Sequence, residues 1–448
     1  MKVPNLNKYN IQLADLSGHY DVEAGKIFLV YAPLAGSFFL ADAETVERLE
    51  RSVESDESDD EMKELLSQLK EKTVDYERSI VDDPSQYAHL SILPNLTCNL
   101  SCAYCYSAKG RSKTEIALDK LQAMLDYFID RERISGRHLT IFISGGGEPL
   151  LSWEKLVFAI EYSRKRAGEQ GFDLDIYLMT NGTLLCDNMI DFLKEFDVNV
   201  GVSFEILPEV QNNQRGQFKK VSDNIKLMLK KGLIPSISSV ITCLNVDRMS
   251  EMVEIINSQY YGVKHLNFDP AMSGMLFPDA AQLDAFYKKF ADIFFSAKEM
   301  CAKYGITLDC NIIRKMEKLF PRYCQGKLCL TPDGKISICH SVSSPKEAAF
   351  QKVVYGEVAD GHLYFDTDKF HTFIDSNNFL LPRCYSCIAR WHCAGGCMMY
   401  RMNYDEEKMM AVCRFTSHMI SSILLKRLDT ISKEEQGISI KELLETIN

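Results

Sequence analysis

Asn95-Leu96-Thr97-Cys98-Asn99-Leu100-Ser101-Cys102-Ala103-Tyr104-Cys105-Tyr106-Ser107-Ala108-Lys109-Gly110 decides how this chain is read. Cys98, Cys102 and Cys105 stand at C-x3-C-x2-C spacing. A cubic iron–sulfur cluster has four irons and takes four thiolates when protein alone closes it. Three thiolates leave one iron open to a small molecule. The same triplet is compatible with a zinc loop that borrows a distant fourth ligand, or with a cluster of buried thiols. A strand expected over His89–Leu93 leads into the loop. A helix expected over Glu115–Arg131 leaves it, with Leu118, Leu121, Leu125 and Phe128 on one face.

Outward from the loop the chain alternates. Strands are expected at 138–144, 174–180, 198–205, 235–242 and 264–269, and helices at about 153–168, 188–195, 217–230, 247–258 and 279–303. Such alternation predicts an α/β fold of parallel strands with right-handed helical crossovers, six β/α units in all; where such units close into a barrel, the site lies at the C-terminal strand ends. The strand ends carry distinctive residues. The second is followed by Gly145-Gly146-Gly147-Glu148-Pro149, in which glycines permit close backbone approach. The third ends in Thr180-Asn181-Gly182, the fourth in Ser203-Phe204-Glu205 with Arg215 ten residues on, and the last in Phe268-Asp269. Taken alone, Asn-Gly is a turn signal, Ser203 a strand-end hydroxyl, Arg215 a surface charge and Phe268 a core residue.

Fifteen cysteines occur among 448 residues. Eight follow the barrel: Cys324, Cys329 and Cys339, then Cys384, Cys387, Cys393 and Cys397 at C-x2-C-x5-C-x3-C spacing, then Cys413. Eight thiolates match two closed cubanes or two four-cysteine zinc sites. Cys186, Cys243, Cys301 and Cys310 read as ordinary core thiols. The net charge of −11 argues against a nucleic-acid surface and against an anionic membrane. With no apolar run of membrane-spanning length and no signal-peptide core at the start, the sequence predicts a cytoplasmic protein.

The cysteine triplet, with Tyr104 before its last member, resembles the signature of the radical S-adenosylmethionine (SAM) enzymes. The eight downstream cysteines, with Gly334 between Cys324 and Cys339, resemble the SPASM domain found behind many such barrels. The resemblance implies a partial (β/α)6 TIM-like radical SAM barrel over 89–310, a SPASM domain over 311–430 and a helical tail over 431–448. It implies SAM and three [4Fe–4S] clusters as cofactors. The first would sit on Cys98, Cys102 and Cys105, with SAM on its open iron. Cys324, Cys329, Cys339 and Cys397 would hold one auxiliary cluster, and Cys384, Cys387, Cys393 and Cys413 the other. Gly146, Gly147 and Glu148 would meet the SAM amino group through backbone carbonyls, and Asn181 the ribose. Tyr104 belongs to the same cofactor set. Ser203 and Arg215 would bind the SAM carboxylate. Glu205 and Ile206 replace the family's usual Asp and Gly, which puts that loop's shape in question.

Residues 1–88 read as a small α+β module, with strands at Lys26–Val30 and Ser37–Leu40, helices at about 43–53 and 61–72, and an acidic loop over Ser55–Glu61 between them. The pattern is similar to peptide-recognition modules that add a leader peptide to a sheet edge, and equally to a structural cap. The expected activity is maturation of a ribosomally made peptide by a thioether or carbon–carbon crosslink, with a flavodoxin- or ferredoxin-type electron donor. Sulfatase-type formylglycine formation is the alternative, as is a non-enzymatic iron–sulfur carrier or redox scaffold. Sulfatase maturases place Asp after the third SPASM cysteine, where this chain has His340, a candidate base. Asp269 is a second candidate for contact with the substrate.

Overall fold

The computed structural model describes residues 5–16, 26–54, 60–74, 81, 83–272, 276–376 and 380–446; residues 55–59 of the acidic stretch lie outside them. Two compact units emerge. One comprises Met1–Ile80, Asn311–Cys324 and Asn377–Asn448, the other Val81–Cys310 and Gln325–Ser376.

In the first unit, β1 (Gln12–Asp15), β2 (Ile27–Ala32) and β3 (Ser37–Asp42) form an antiparallel sheet in that order. The sequence reading found β2 and β3 and missed β1. With four residues and only Gln12 buried, β1 has little hydrophobic alternation to announce it. Leu6, Ile11, Val30, Leu49 and Leu66 pack beneath this sheet and the helices Ala43–Glu54 and Asp60–Lys70. Leu34 joins Leu319 and Trp391 in a separate apolar cluster. A 31-residue helix, Glu406–Gln436, runs through the C-terminal part and is capped by Asp405, whose side chain accepts from Lys408 N.

The second unit is built on one sheet. Parallel neighbours β4 (His89–Ile92), β5 (His138–Ile143), β6 (Asp173–Thr180), β7 (Val198–Ser203), β8 (Ser236–Ile241) and β9 (His265–Pro270) are the six expected strands. A seventh parallel strand, β10 (Thr307–Asp309), continues them. On the other side β11 (Leu328–Leu330) pairs parallel to β4. Antiparallel β12 (Lys335–Ser337), β13 (Val354–Ala359) and β14 (His362–Phe365) complete the sheet. β6 shows why these segments are strands: Leu174, Ile176, Leu178 and Thr180 alternate inward.

The helix between β4 and β5 is shorter than expected, Leu118–Phe128. Leu121, Leu125 and Phe128 are buried as anticipated, but Leu118, in the first turn, is exposed. Among the lone cysteines, Cys301 and Cys310 are core thiols, whereas Cys186 and Cys243 are exposed. Cys186 is the N-cap of the helix Asp187–Glu195, and Cys243 lies in the turn after β8; neither faces a core. No helix among the described residues is long and apolar enough to cross a membrane.

Candidate cofactor site

The cysteine loop leaves β4 and is held against the glycine segment after β5 by backbone pairing. Gly147 N donates to Asn95 O at 2.8 Å and Glu148 N to Thr97 O at 2.7 Å. The fit leaves no room for side chains. A Cβ at Gly147 would stand 1.9 Å from Thr97 O, and one at Gly146 2.4 Å from Asn95 O. Asn95 clasps the junction. Its Nδ2 donates to Glu148 O (3.0 Å) and Ser152 Oγ (2.7 Å), while Oδ1 accepts from Thr97 N. The Glu148 carbonyl, named above as a SAM contact, is therefore already engaged.

The Glu148 side chain ties the next strand end. Its carboxylate accepts from Thr180 Oγ1 (2.5 Å), Asn181 N (2.8 Å) and Leu150 N (3.1 Å). Burial pushes this carboxyl up, and the three hydrogen bonds work in the opposite direction. Asn181 reaches back to the loop. Its Nδ2 lies 2.9 Å from Asn99 Oδ1 and 4.0 Å from Cys98 Sγ. Asn99 Nδ2 in turn donates to Thr183 Oγ1 at 2.7 Å.

On the opposite side of the loop stands a buried charge network. Arg215 Nη1 donates to Tyr104 Oη at 3.0 Å, and Tyr104 Oη–H donates to Glu205 Oε1. Arg215 and Glu205 are 3.8 Å apart, with side chains 9% and 0% exposed. Glu205 Oε2 accepts from Ser239 Oγ (2.7 Å) and Val240 N (3.0 Å). Ile206 has φ 66°, and Leu207 N donates to Glu205 O at 2.6 Å, closing a three-residue turn. A buried β-branched residue thus keeps the left-handed conformation that the resemblance assigns to glycine, at a cost of about 1–2 kcal/mol. Ser203 ends β7 and is half-buried.

Burial pushes the Cys102 and Cys105 thiols up, and each is drawn down by the Arg215 charge. Arg111 Nη2 lies 3.2 Å from Cys105 Sγ. Burial of Arg215 works against its charge, but Tyr104, Cys102 and Glu205 outweigh that and hold it firmly protonated. Arg215 Nε is buried with no hydrogen-bond partner. With Nη1 turned to Tyr104, Nε on the Nε–Nη2 edge of the guanidinium is left without a partner. A carboxylate fits that edge bidentately, and thiolates beside cations fit a cluster. The residues present therefore suit SAM on an open iron. Among the described residues no three His, Cys, Asp or Glu side chains converge on a single metal ion.

Of the remaining candidates, His340 Nδ1 lies 2.9 Å from Lys327 Nζ. Burial, helped by Lys327, pushes this imidazole down to about 3. With Lys327 donating to Nδ1, the proton of the neutral ring is on Nε2, so Nδ1 is not free to act as a base. Asp269 is half-buried on β9. Phe268 is fully buried and belongs to the core.

Cys329 and Cys339 lie in the second unit and Cys324 and Cys397 in the first. Cys384, Cys387, Cys393 and Cys413 all lie in the first unit and perturb one another electrostatically. Burial pushes Cys393 up to about 12. Gly395 and Gly396, with φ 83° and 86°, turn the chain between Cys393 and Cys397.

The sequence reading missed Asn95 as a clasp, Arg111 and Ser239 altogether, and Gln211. Gln211 Oε1 accepts from Glu205 N at 2.9 Å while its Nε2 donates to Gly216 O at 2.8 Å. Asn95 heads the cysteine loop, but nothing in the spacing marks it. The others meet the site only through folding.

Residues 92–258 match the radical SAM superfamily. A serine-type anaerobic sulfatase-maturating enzyme of Bacteroides thetaiotaomicron is 32% identical over 165 residues, which cover 34% of this chain and 38% of that relative. The match thus spans well under half of that enzyme's own length. The structure of native anSMEcpe with bound AdoMet and Cp18Cys peptide superposes with a TM-score of 0.61 at 19% identity, covering 77% of this chain and 99% of that one. Streptococcus suis SuiB bound to precursor peptide SuiA gives a TM-score of 0.50 at 15% identity, covering 89% and 97%. At these identities the likeness is one of fold. The cysteine loop, the glycine segment and Arg215 all fall within this match, so residues 92–258 are the radical SAM domain of this chain.

Proposed function

We propose that this chain is a peptide maturase that crosslinks a ribosomally made substrate by radical SAM chemistry, forming a thioether or carbon–carbon bond. The buried Arg215, with Nε unpartnered and its charge acting on Cys102, is the observation that carries the cofactor half of this reading. When bound, the cluster and SAM supply a 5′-deoxyadenosyl radical that removes a hydrogen atom from the substrate. Cys98, Cys102 and Cys105 hold the cluster. Arg215 and Ser203 take the SAM carboxylate, Gly146 and Gly147 let the cofactor lie against backbone, and Asn181 orders the loop near the ribose. A crosslink removes two hydrogens from the peptide. One leaves as 5′-deoxyadenosine, the other as a proton and an electron. The eight C-terminal cysteines would hold two auxiliary clusters, which would supply an acceptor for that electron, and the proposed electron donor is a low-potential flavodoxin or ferredoxin.

Two peptide-bound relatives of this fold support a peptide as the partner. The module before residue 89 is the proposed seat of its leader segment. Sulfatase-type formylglycine formation is favoured by the identity to the B. thetaiotaomicron enzyme; His340, where that chemistry uses Asp, weighs against it.

The test is anaerobic reconstitution of the full chain, reduction with dithionite, and SAM. 5′-Deoxyadenosine and methionine are expected; absence of both returns the protein to an electron carrier or scaffold. Co-expression with a cysteine- or aromatic-rich peptide encoded beside the gene should give a product lighter by two hydrogens and inert to a hydrazide probe. A hydrazide-reactive aldehyde on a serine or cysteine would move the assignment to the sulfatase class.

A further inference from the structure

The polar atoms of Glu205 are all engaged, whereas Nε of the neighbouring Arg215 is buried without a partner. The Glu205 carboxylate accepts from Tyr104 Oη on one oxygen and from Ser239 Oγ and Val240 N on the other. Its backbone N–H is held by Gln211, and its carbonyl closes the left-handed turn at Ile206. Neither the side chain nor the main chain of Glu205 has freedom to move. Tyr104 Oη, with its hydrogen directed at Glu205, presents a lone pair to Arg215 Nη1. The guanidinium is a rigid plane, so fixing Nη1 fixes the direction of Nε and Nη2. Ala103 N donates to Gln214 O at 2.9 Å, so the loop residue before Tyr104 is tied to the residue before Arg215. The cysteine loop and the arginine are thus locked together from both sides.

We propose that Glu205 is a positioning residue for SAM: through Tyr104 it turns the Nε–Nη2 edge of Arg215 toward the SAM carboxylate and sets the height of the cysteine loop against it. The inference rests on the radical SAM reading of this site. Glutamate rather than aspartate is required because one oxygen must stay with Ser239 and Val240 on β8 while the other reaches Tyr104 in the loop. Aspartate, one methylene shorter, gives up one of the two attachments. The strained turn at Ile206 is then understandable, since it directs the longer side chain inward.

The test uses the full chain with its clusters reconstituted and SAM itself as the probe. Equilibrium dialysis gives the SAM dissociation constant, and EPR of the reduced protein reports whether SAM shifts the cluster signal. Glu205→Gln should raise Kd about tenfold and blunt the shift with iron content retained, as expected on losing a charged hydrogen bond. Glu205→Asp should recover only part of the loss. The double variant with Tyr104→Phe should be little worse than either single variant, because both break one chain. A Kd within about twofold of the parent, or additive effects of the two substitutions, overturns the proposal. If Glu205→Gln does not fold, Ser239→Ala removes one of the two donors that hold Glu205 Oε2 without removing a charge; a raised Kd supports the positioning role and parental binding overturns it. A parent protein that neither binds SAM nor changes its EPR signal refutes the cofactor reading itself, which the variants do not test.

Discussion

Gly147 and Asn95 show how much of this site rests on single atoms. Gly147 lacks a Cβ where Thr97 O stands 1.9 Å from the position one would take. The obstacle is backbone, so it cannot swing aside as a flexible side chain would. Gly147→Ala should push the cysteine loop off β5. Iron bound after reconstitution should then fall by about four per chain, one cubane, with the far-UV circular dichroism of the barrel kept. Unchanged iron and unchanged SAM binding would show that the loop tolerates the shift. Tyr31 offers a different kind of reading. Its hydroxyl pairs with His392 Nε2 at 2.7 Å, and His392 Nδ1 lies 3.1 Å from both the Lys315 and Lys318 carbonyls. Two carbonyls require Nδ1–H, so Nε2 is the acceptor and Tyr31 donates to it. Burial pushes the Tyr31 phenol up to about 12. An acid whose folded value is raised is neutral in both states below the unfolded value. Above about pH 10 the unfolded chain loses its proton first and stability falls, by up to about 3 kcal/mol near pH 12. Urea titrations between those limits should show a steeper loss in the parent than in Tyr31→Phe; parallel slopes would remove Tyr31 from the account.

Elements are held by ends as well as by faces. The helix Ala280–Lys303 begins at Asp279, whose side chain accepts from Gln282 N at 2.8 Å. Its inner face carries Leu283, Phe286, Phe290 and Phe294, all buried, so packing rather than the cap provides most of its stability. Asp279→Ala should cost about 1 kcal/mol, seen as a lower urea midpoint with SAM binding unaltered; a loss of several kcal/mol would mean that the cap also organises its surroundings. The strands follow the same logic. β5, β6, β8 and β9 alternate buried and more exposed residues along their length and were legible in advance. β10, β11 and β12 have three residues each, too few for a period to register. They are strands because a neighbouring edge offers them hydrogen bonds.

The chain as a whole is not threaded in the order in which it is written. Residues 325–376 extend the parallel sheet, whereas 311–324 and 377–448 belong with the N-terminal module. Iron counting addresses the proposed auxiliary clusters at this level. Cys384, Cys387, Cys393 and Cys413 share one unit, so Cys413→Ala should lower reconstituted iron from about twelve to about eight per chain without loss of the SAM-dependent EPR signal. Loss of that signal too would tie the C-terminal cysteines to the first cluster. The cysteine triplet, the barrel's alternation and the glycine segment were all legible in the residues because they are local: spacing along a loop and period along a strand survive without any partner. The Tyr104–Glu205–Arg215 network was not legible, since it joins three positions that only β7 and its neighbours bring together. Nor was the tautomer of His340, which Lys327 decides from thirteen residues away. Sequence alone thus pointed to the proposed chemistry, because that depends on residue type and short spacing. Tertiary structure alone decided how the proposed cofactor residues are aimed, because buried charges take their direction from whichever partners folding sets beside them.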